Sequence, residues 1–172
     1  DRLSMKENVY VIDVFYKYDT LVVKDNPHIV LVNPSNSGNM GTIIRTGVGF
    51  GFKDLVVIRP AVDPYDPKTI RSSMGALFHI NLSFFDSFRE YRSQFPEHKI
   101  YTFMLKGKKV LRDIQPPFPQ PFSLVFGNEA TGLPDSFLDY GESILIKHSR
   151  EIDSLNLSIA FGIAAHTFSQ NG

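Results

Sequence analysis

The sequence predicts an α/β fold with a mainly parallel sheet flanked by helices. Short apolar segments rich in β-branched residues, bounded by proline, glycine and asparagine, recur along the 172 residues. Segments with a helical spacing of apolar residues lie between most of them. This alternation is typical of parallel sheets, because a strand that returns in the same direction needs a long crossover, usually a helix. The composition, 42% hydrophobic and 21% charged, is that of an ordinary globular domain.

Each predicted strand is a short apolar run, and each predicted helix follows a turn-forming residue. The strands are expected at residues 28–32, 55–58, 79–84, 99–103, 122–126 and 143–146. The helices are expected at residues 40–50, 68–74, 87–94, 134–140 and 156–169. Four prolines within residues 116–121 predict an extended connector, since proline donates no backbone hydrogen bond. We expect one domain over residues 27–172, preceded by a linker or extension remnant over residues 1–26. The chain begins at Asp1, which leaves open that an N-terminal portion is missing.

Composition limits the classes of function. The chain contains no cysteine, so it is expected to fold without disulfides, which is compatible with a reducing cytoplasm. Its longest apolar stretch, residues 155–168, is interrupted by polar residues, so we expect no membrane span and a soluble cytoplasmic protein. Its 18 basic and 18 acidic residues give no net attraction to nucleic acid. Any RNA affinity must therefore come from local patches, for which the candidates are Lys106, Lys108, Lys109 and Arg112, and the scattered Arg45, Arg59, Lys68 and Arg71.

A turn-rich segment, residues 33–46, follows the first predicted strand and leads into a helix. Ligands of open α/β sheets bind at such carboxyl ends of strands. Asn39, Thr42 and Arg45 are spaced three apart, so they can share one strip of the helix surface while Ile43 and Ile44 face the sheet. By itself this pattern is also that of an ordinary capped helix with an exposed arginine.

The glycines that follow do not form a dinucleotide-binding loop. Gly47, Gly49 and Gly51 come at the end of a helical pattern, whereas a phosphate-binding loop precedes a helix. We expect Gly51 to end the helix in a left-handed conformation and the other two to allow close packing.

Two further segments look like binding loops. The strand at residues 122–126 runs into Gly127, which allows close approach to the backbone, and Glu129, which supplies a carboxylate; a plain turn is the alternative. The segment 153–164 is expected to begin a helix capped by Asp153 or Ser154. Small residues keep this helix thin, so another backbone can pack close to it, although a capped core helix completed by Asn156 explains the same pattern.

Other chemistries lack their motifs. The sequence holds no P-loop, no zinc-protease H-E-x-x-H and no G-x-S-x-G, and its five histidines show no metal-ligand spacing. We therefore expect neither metal catalysis nor covalent hydrolysis.

In this order, the three segments resemble the signature motifs of the SpoU/TrmH branch of the SPOUT RNA methyltransferases. The first motif resembles residues 39–46, the second 124–134, and the third 143–162 with its core Ser154-Leu155-Asn156; a weaker family-like stretch covers residues 71–78. The resemblance implies a C-terminal deep trefoil knot, a homodimer whose active site draws on both subunits, and S-adenosylmethionine held largely by backbone groups. It implies methylation of a ribose 2′-hydroxyl in tRNA or rRNA.

The resemblance also implies site residues. The cofactor contacts would be Gly127, Ile146 and Leu155, with Met104 in a further wall after strand 99–103. The catalytic group would be Arg45, surrounded by Asn39, Glu129, Ser154 and Asn156. A guanidinium stays protonated in proteins, so we interpret Arg45 first as a phosphate clamp that can also stabilise negative charge on the ribose oxygen. How the hydroxyl proton is removed stays open.

The sequence departs from the family pattern at Lys147, where proline is usual; its positive charge is expected either to contact RNA or to point to solvent. Two alternatives to a methyltransferase remain: a catalytically silent RNA-binding protein on the same scaffold, and a nucleotide-binding α/β enzyme outside this family.

Overall fold

The computed structural model describes residues 14–17 and 20–170. The strands are β1 (His28–Val32), β2 (Asp54–Ile58), β3 (Asn81–Phe85), β4 (Lys99–Phe103), β5 (Lys109–Val110), β6 (Phe122–Phe126) and β7 (Glu142–Leu145). The α-helices are α1 (Ser37–Gly49), α2 (Pro67–Ser73), α3 (Phe88–Gln94) and α4 (Leu157–Phe168). Short 3-10 helices cover Ala76–His79, Leu111–Asp113 and Asp135–Asp139.

The strands form one parallel sheet in the order β3-β2-β1-β6-β4-β7-β5. Alternate residues of β1 enter two different cores: Ile29 packs in the core shared with α1 and α4, and Val30 in the core shared with α3. Helices therefore cover both faces, which is why the central strands are mostly apolar. The predicted fold class, a mainly parallel sheet flanked by helices, is confirmed.

Several element boundaries differ from the prediction. The strands predicted at 28–32, 99–103 and 122–126 are confirmed. The strand predicted at 79–84 begins only at Asn81, because Gly75 (φ 84°) starts a 3-10 helix that ends at His79. The segment predicted as a helix at 134–140 is a 3-10 helix, and the two-residue β5 was not predicted.

Side-chain caps explain where α1 and α4 begin. Asn36 Oδ1 accepts a hydrogen bond from the Asn39 backbone N–H at 3.0 Å, so α1 starts earlier than predicted. Asn156, rather than Asp153 or Ser154, caps α4 through the N–H of Ser158 at 2.9 Å. The predicted cap of α4 was therefore wrong, and the alternative role of Asn156 is correct.

The glycines at the end of α1 behave as predicted in two of three cases. Gly51 is left-handed, with φ of 84°. A methyl group on Gly47 would lie 2.5 Å from Cδ1 of Ile29, so close packing requires glycine there. A methyl group on Gly49 would meet nothing within 4 Å, so the close packing predicted for Gly49 was wrong.

The segment before β1 packs against the amino ends of the strands. The Val23 backbone N–H and the Asn26 side chain each donate to the buried Asp54 carboxylate at 2.7 Å. Buried His28 and His98 bond the carbonyls of residues 23 and 24. Residues 23, 24 and 26 are thus hydrogen-bonded to the sheet. Residues 1–13 and 18–19 of the predicted linker lie outside the described residues.

Candidate active site at the carboxyl ends of the central strands

A cavity of about 340 Å³ opens where β4, β6 and β7 end. Its walls are residues 103–106, 126–133 and 144–146, closed by residues around the start of α4. The walls are mainly apolar, with a few polar side chains at the rim. Cavities of this size and lining are typical of small-molecule sites in open α/β sheets.

Two glycines let backbone segments meet, Gly127 in the cavity wall and Gly107 directly after the wall residue Lys106. A methyl group on Gly127 would lie 2.2 Å from the carbonyl carbon of Gly132. One on Gly107 would lie 2.3 Å from the carbonyl carbon of Ile144. Any side chain at these positions would push the strand-end loops apart. The sequence analysis singled out Gly127 but missed Gly107, which stands in no motif.

The predicted cofactor contacts come together. Met104, Gly127, Ile146 and Leu155 come from four separate segments and all line this one cavity. Of the residues predicted around the reaction, Glu129 and Ser154 line it as well, whereas Asn39, Asn156 and Arg45 do not.

The Glu129 carboxylate joins the loop after β6 to the start of α1. Its Oε2 accepts hydrogen bonds from the Ser35 backbone N–H at 2.9 Å and the Ser35 hydroxyl at 2.8 Å. Its Oε1 accepts from the Asn36 backbone N–H at 3.0 Å and from Asn39 Nδ2 at 3.4 Å. Burial by itself would raise the pKa of Glu129, but these donors outweigh it and hold the pKa below its usual range. Glu129 is therefore an ionised positioning group at neutral pH.

Asn39 extends this link to α4. Its Oδ1 accepts a hydrogen bond from Asn156 Nδ2 at 3.2 Å, and Asn156 in turn caps α4. A hydrogen-bonded chain from Glu129 through Asn39 to Asn156 thus connects all three predicted motifs. Ser35 and Asn36 were not predicted as site residues, since two of their three hydrogen bonds to Glu129 come from backbone N–H groups that no side-chain pattern reveals.

Arg45 lies apart from this hydrogen-bonded chain of side chains. It is exposed on α1, six residues and thus about 9 Å of helix beyond Asn39. The Arg45 side chain makes no hydrogen bond or ion pair with the described residues. One copy of the chain does not bring Arg45 to the cavity.

A second, shallow hollow lies between α1 and α4. We call it the α1–α4 face; it is lined by Thr42, Thr46, Ser158, Ile159, Gly162, Ile163, His166 and Thr167. Ile159 is 56% exposed and Ile163 41% exposed. Thr42 of the predicted strip therefore points toward α4. This face presents apolar side chains around a glycine, a combination that suits close packing against another surface.

Lys147 is exposed on the loop after β7, beside His148 at the cavity.

Residues 14–17 and 20–170 hold no cluster of three or more side chains suited to a metal ion. Over the same residues, no helix is long and apolar enough to cross a membrane.

Comparisons with known proteins agree with this arrangement. The profile of the SpoU rRNA Methylase family matches residues 26–166. A putative tRNA (cytidine(34)-2′-O)-methyltransferase of Listeria monocytogenes serotype 4b (strain F2365) is 34% identical over 81% of this chain and 84% of its own length. The 23S rRNA (guanosine(2553)-2′-O)-methyltransferase RlmP of Bacillus subtilis (strain 168) is 29% identical over 75% of this chain and 52% of its own.

Solved structures share the fold. The SpoU methyltransferase AviRb from Streptomyces viridochromogenes in complex with AdoMet superposes with a TM-score of 0.78 at 27% identity, over 87% of this chain and 61% of that one. A structure concerned with 2-OH methylation of C/U34 on tRNA superposes with a TM-score of 0.77 at 28% identity, over 87% of this chain and 97% of that one. The chain spans only 27% of one relative, ribosomal RNA small subunit methyltransferase G 2 of Syntrophobacter fumaroxidans (strain DSM 10017 / MPOB).

Proposed function

The chain belongs to the SpoU rRNA Methylase family, and we propose that it transfers a methyl group from S-adenosylmethionine to a ribose 2′-hydroxyl of tRNA or rRNA. One observation carries the proposal: the four positions expected to contact the cofactor, far apart in sequence, line a single cavity. The same proposal includes a cytoplasmic location, where such RNA is found.

The cavity suits S-adenosylmethionine. Its volume of about 340 Å³ falls within the range of ligand pockets. Met104, Ile146 and Leu155 offer apolar contact, and the close backbone at Gly127 leaves peptide groups to recognise polar atoms. When bound, the cofactor supplies an electrophilic methyl group on a sulfonium. The chain's own contribution is to hold the methyl donor and the ribose in line and to exclude water.

We propose that Glu129, Asn39 and Asn156 position the loops, and that Ser154 at the cavity rim contacts the ribose. The charge that develops on the ribose oxygen is negative, so it needs a cation. Arg45 supplies that cation in the proposal, since a guanidinium remains charged and binds phosphate or oxyanions in two-point geometry.

Because Arg45 lies away from the cavity of its own chain, we propose a homodimer in which Arg45 reaches the cavity of the partner subunit. A two-fold dimer uses the same surface on both copies. The α1–α4 face is suited to it, because it carries exposed Ile159 and Ile163 beside Gly162. In light scattering, Ile163→Asp should shift the mass from dimer to monomer, whereas Ile152→Asp, at an exposed position outside this face, should not. A wild-type monomer would contradict the dimer.

The proposal also includes the C-terminal deep trefoil knot. It is supported by the strand order, in which β6 lies between β1 and β4, and β7 between β4 and β5. A crystal structure tests it directly: the segment after β7 must thread through the loop formed by the preceding strands, and an unthreaded trace would remove the knot.

Calorimetry with S-adenosylmethionine tests the cofactor site. We expect one site per chain, and we expect Gly127→Val to abolish binding because its side chain meets the facing backbone. Gly49→Ala, where a methyl group meets nothing, is the matched control. Absence of binding to the wild-type chain would overturn the proposed function.

A further inference from the structure

We propose that Lys68 and Arg71 form a basic ridge on α2 that leads to Arg45 on α1 and binds the phosphate backbone of the RNA substrate. This inference rests on the proposed function, because it assumes that RNA is the methyl acceptor. It adds to that function the surface along which the RNA lies outside the cavity.

Part of the charge on this neutral chain is offset by ion pairs with neighbouring groups. The ion pairs of the described residues are Lys17–Asp63, Arg59–Asp86, Lys99–Glu142, Lys106–Asp135, Lys109–Glu142 and Arg112–Asp113. Three of the four cations in the run from Lys106 to Arg112 thus have an acidic partner. Their potential is weakened at the surface, so this run is a poorer phosphate site than its composition indicates.

The first two helices differ from that pattern. Neither α1 nor α2 contains an acidic residue. Arg45, Lys68 and Arg71 are all exposed, and none forms an ion pair within the described residues. Asp66 accepts from the Lys68 backbone N–H as the cap of α2, and Glu129 accepts from the Asn36 backbone N–H, so neither carboxylate forms an ion pair with a cation of the ridge.

Packing places this positive charge next to the active site. A methyl group on Gly38 would lie 3.6 Å from Cε of Lys68, so this lysine lies over the first turn of α1, beside Asn39. Gly41 packs against the backbone of α2, where a methyl group would lie 2.5 Å from the Thr69 carbonyl oxygen. Two helices held this closely keep the backbones that carry these cations next to each other.

The ridge therefore begins beside the hydrogen-bonded chain at the cavity and continues along both helices. Arg71 lies three residues after Lys68 on the same side of α2, and Arg45 lies one turn after Gly41 on α1. An RNA strand whose ribose lies in the cavity of the partner subunit, which Arg45 reaches in the proposed dimer, would carry its neighbouring phosphates over these side chains. Phosphate contacts of this kind position RNA without reading its sequence.

Salt dependence of RNA binding tests the ridge. The measurement is fluorescence anisotropy with labelled unfractionated tRNA and, separately, fragmented rRNA, over a range of salt concentrations. The variant is Lys68→Gln with Arg71→Gln. The control removes the same charges at exposed residues away from the ridge, Lys53→Gln before β2 and Arg89→Gln on α3. Unfolding curves and cofactor calorimetry verify that each variant folds, and the single variant Arg71→Gln serves if the double variant does not.

We expect the ridge variant to bind about tenfold more weakly near 0.1 M salt and to lower the slope of log K against log salt by between about one and two. The control variant should match the wild type, and cofactor affinity should not change in either. Because phosphate contacts do not read the sequence, both RNAs should show the difference.

An unchanged slope in the ridge variant would overturn the inference, as would an equal loss in the control variant or no RNA binding by the wild type. The proposed function has a separate readout. A wild-type chain that binds no S-adenosylmethionine fails that proposal whatever the salt slopes are.

Discussion

Replacing Glu129 by glutamine tests whether its carboxylate acts by positioning the loops. Glutamine keeps the size of the side chain but turns one oxygen acceptor into an N–H₂ donor. In either orientation of the amide, the N–H₂ group faces a backbone N–H, that of Ser35 or that of Asn36, and cannot accept its hydrogen bond. The loop after β6 would then lose its attachment to the start of α1.

The size of the effect follows from the hydrogen bonds. Bonds to a charged group contribute about 1.5 to 3 kcal/mol each when buried, and partial exposure of Glu129 reduces this to about 1 kcal/mol each. Loss of two corresponds to about 2 kcal/mol, or roughly a 30-fold fall in the rate of methyl transfer. If the same energy stabilises the fold, the melting temperature should fall by about 4 to 8 °C.

The assay compares single-turnover methyl transfer with cofactor affinity measured by calorimetry. We expect the rate to fall while affinity stays within about threefold, because every hydrogen bond of the Glu129 side chain goes to the α1 loop. Glu151→Gln, at an exposed position near the cavity, is the control and should behave as wild type. A wild-type rate would refute the positioning role, and an equal loss of rate and affinity would assign the carboxylate to the cofactor instead.

Three further changes test other parts of the structure. Arg45→Ala should abolish methylation while cofactor binding survives in calorimetry; loss of both would refute its assignment to the RNA side of the reaction. Burial lowers the pKa of His28 to about 4 and also lowers the pKa of His98. As the pH falls, the unfolded chain takes up protons first, so the free energy of unfolding decreases. In urea unfolding, His28 alone should lower it by about 2 kcal/mol between about pH 7 and pH 5. A constant free energy of unfolding over this range would be the contrary result. Gly127→Ala should weaken cofactor binding at least tenfold, because the added methyl group meets backbone. Gly49→Ala should leave binding unchanged and raise the free energy of unfolding by about 0.5 to 1 kcal/mol. Equal cofactor affinity of the two variants would contradict the close backbone contact at Gly127.

The sequence predicts the central strands well for a physical reason. β1 and β6 are covered by helices on both faces, so every residue is buried and residues 29–32 and 124–126 form apolar runs. β5 has only two residues and pairs with β7 alone, so it leaves no periodic signal. The 3-10 helix before β3 depends on the left-handed Gly75, and an apolar pattern does not report backbone dihedrals.

The site residues also divide into those that the sequence reveals and those that it does not. Glu129 and Asn156 carry recognisable side chains within the three motifs, and the structure joins them through Asn39. Ser35 donates to Glu129 through a backbone N–H, which almost any residue there would offer, and through its hydroxyl, which belongs to no recognised motif. The distance of Arg45 from the cavity depends on how α1 packs, which the spacing of three residues along a helix does not determine.

Methyl transfer to RNA is the most direct test of the proposed reaction. The full chain is incubated with tritiated S-adenosylmethionine and total RNA, and the RNA is hydrolysed in alkali. A methylated ribose 2′-oxygen cannot attack its phosphate, so we predict label in alkali-resistant dinucleotides, and none when Arg45 is replaced by alanine. Cofactor binding without label in RNA would contradict the methyltransferase and leave a silent RNA-binding protein, and label confined to mononucleotides would contradict the ribose as the acceptor.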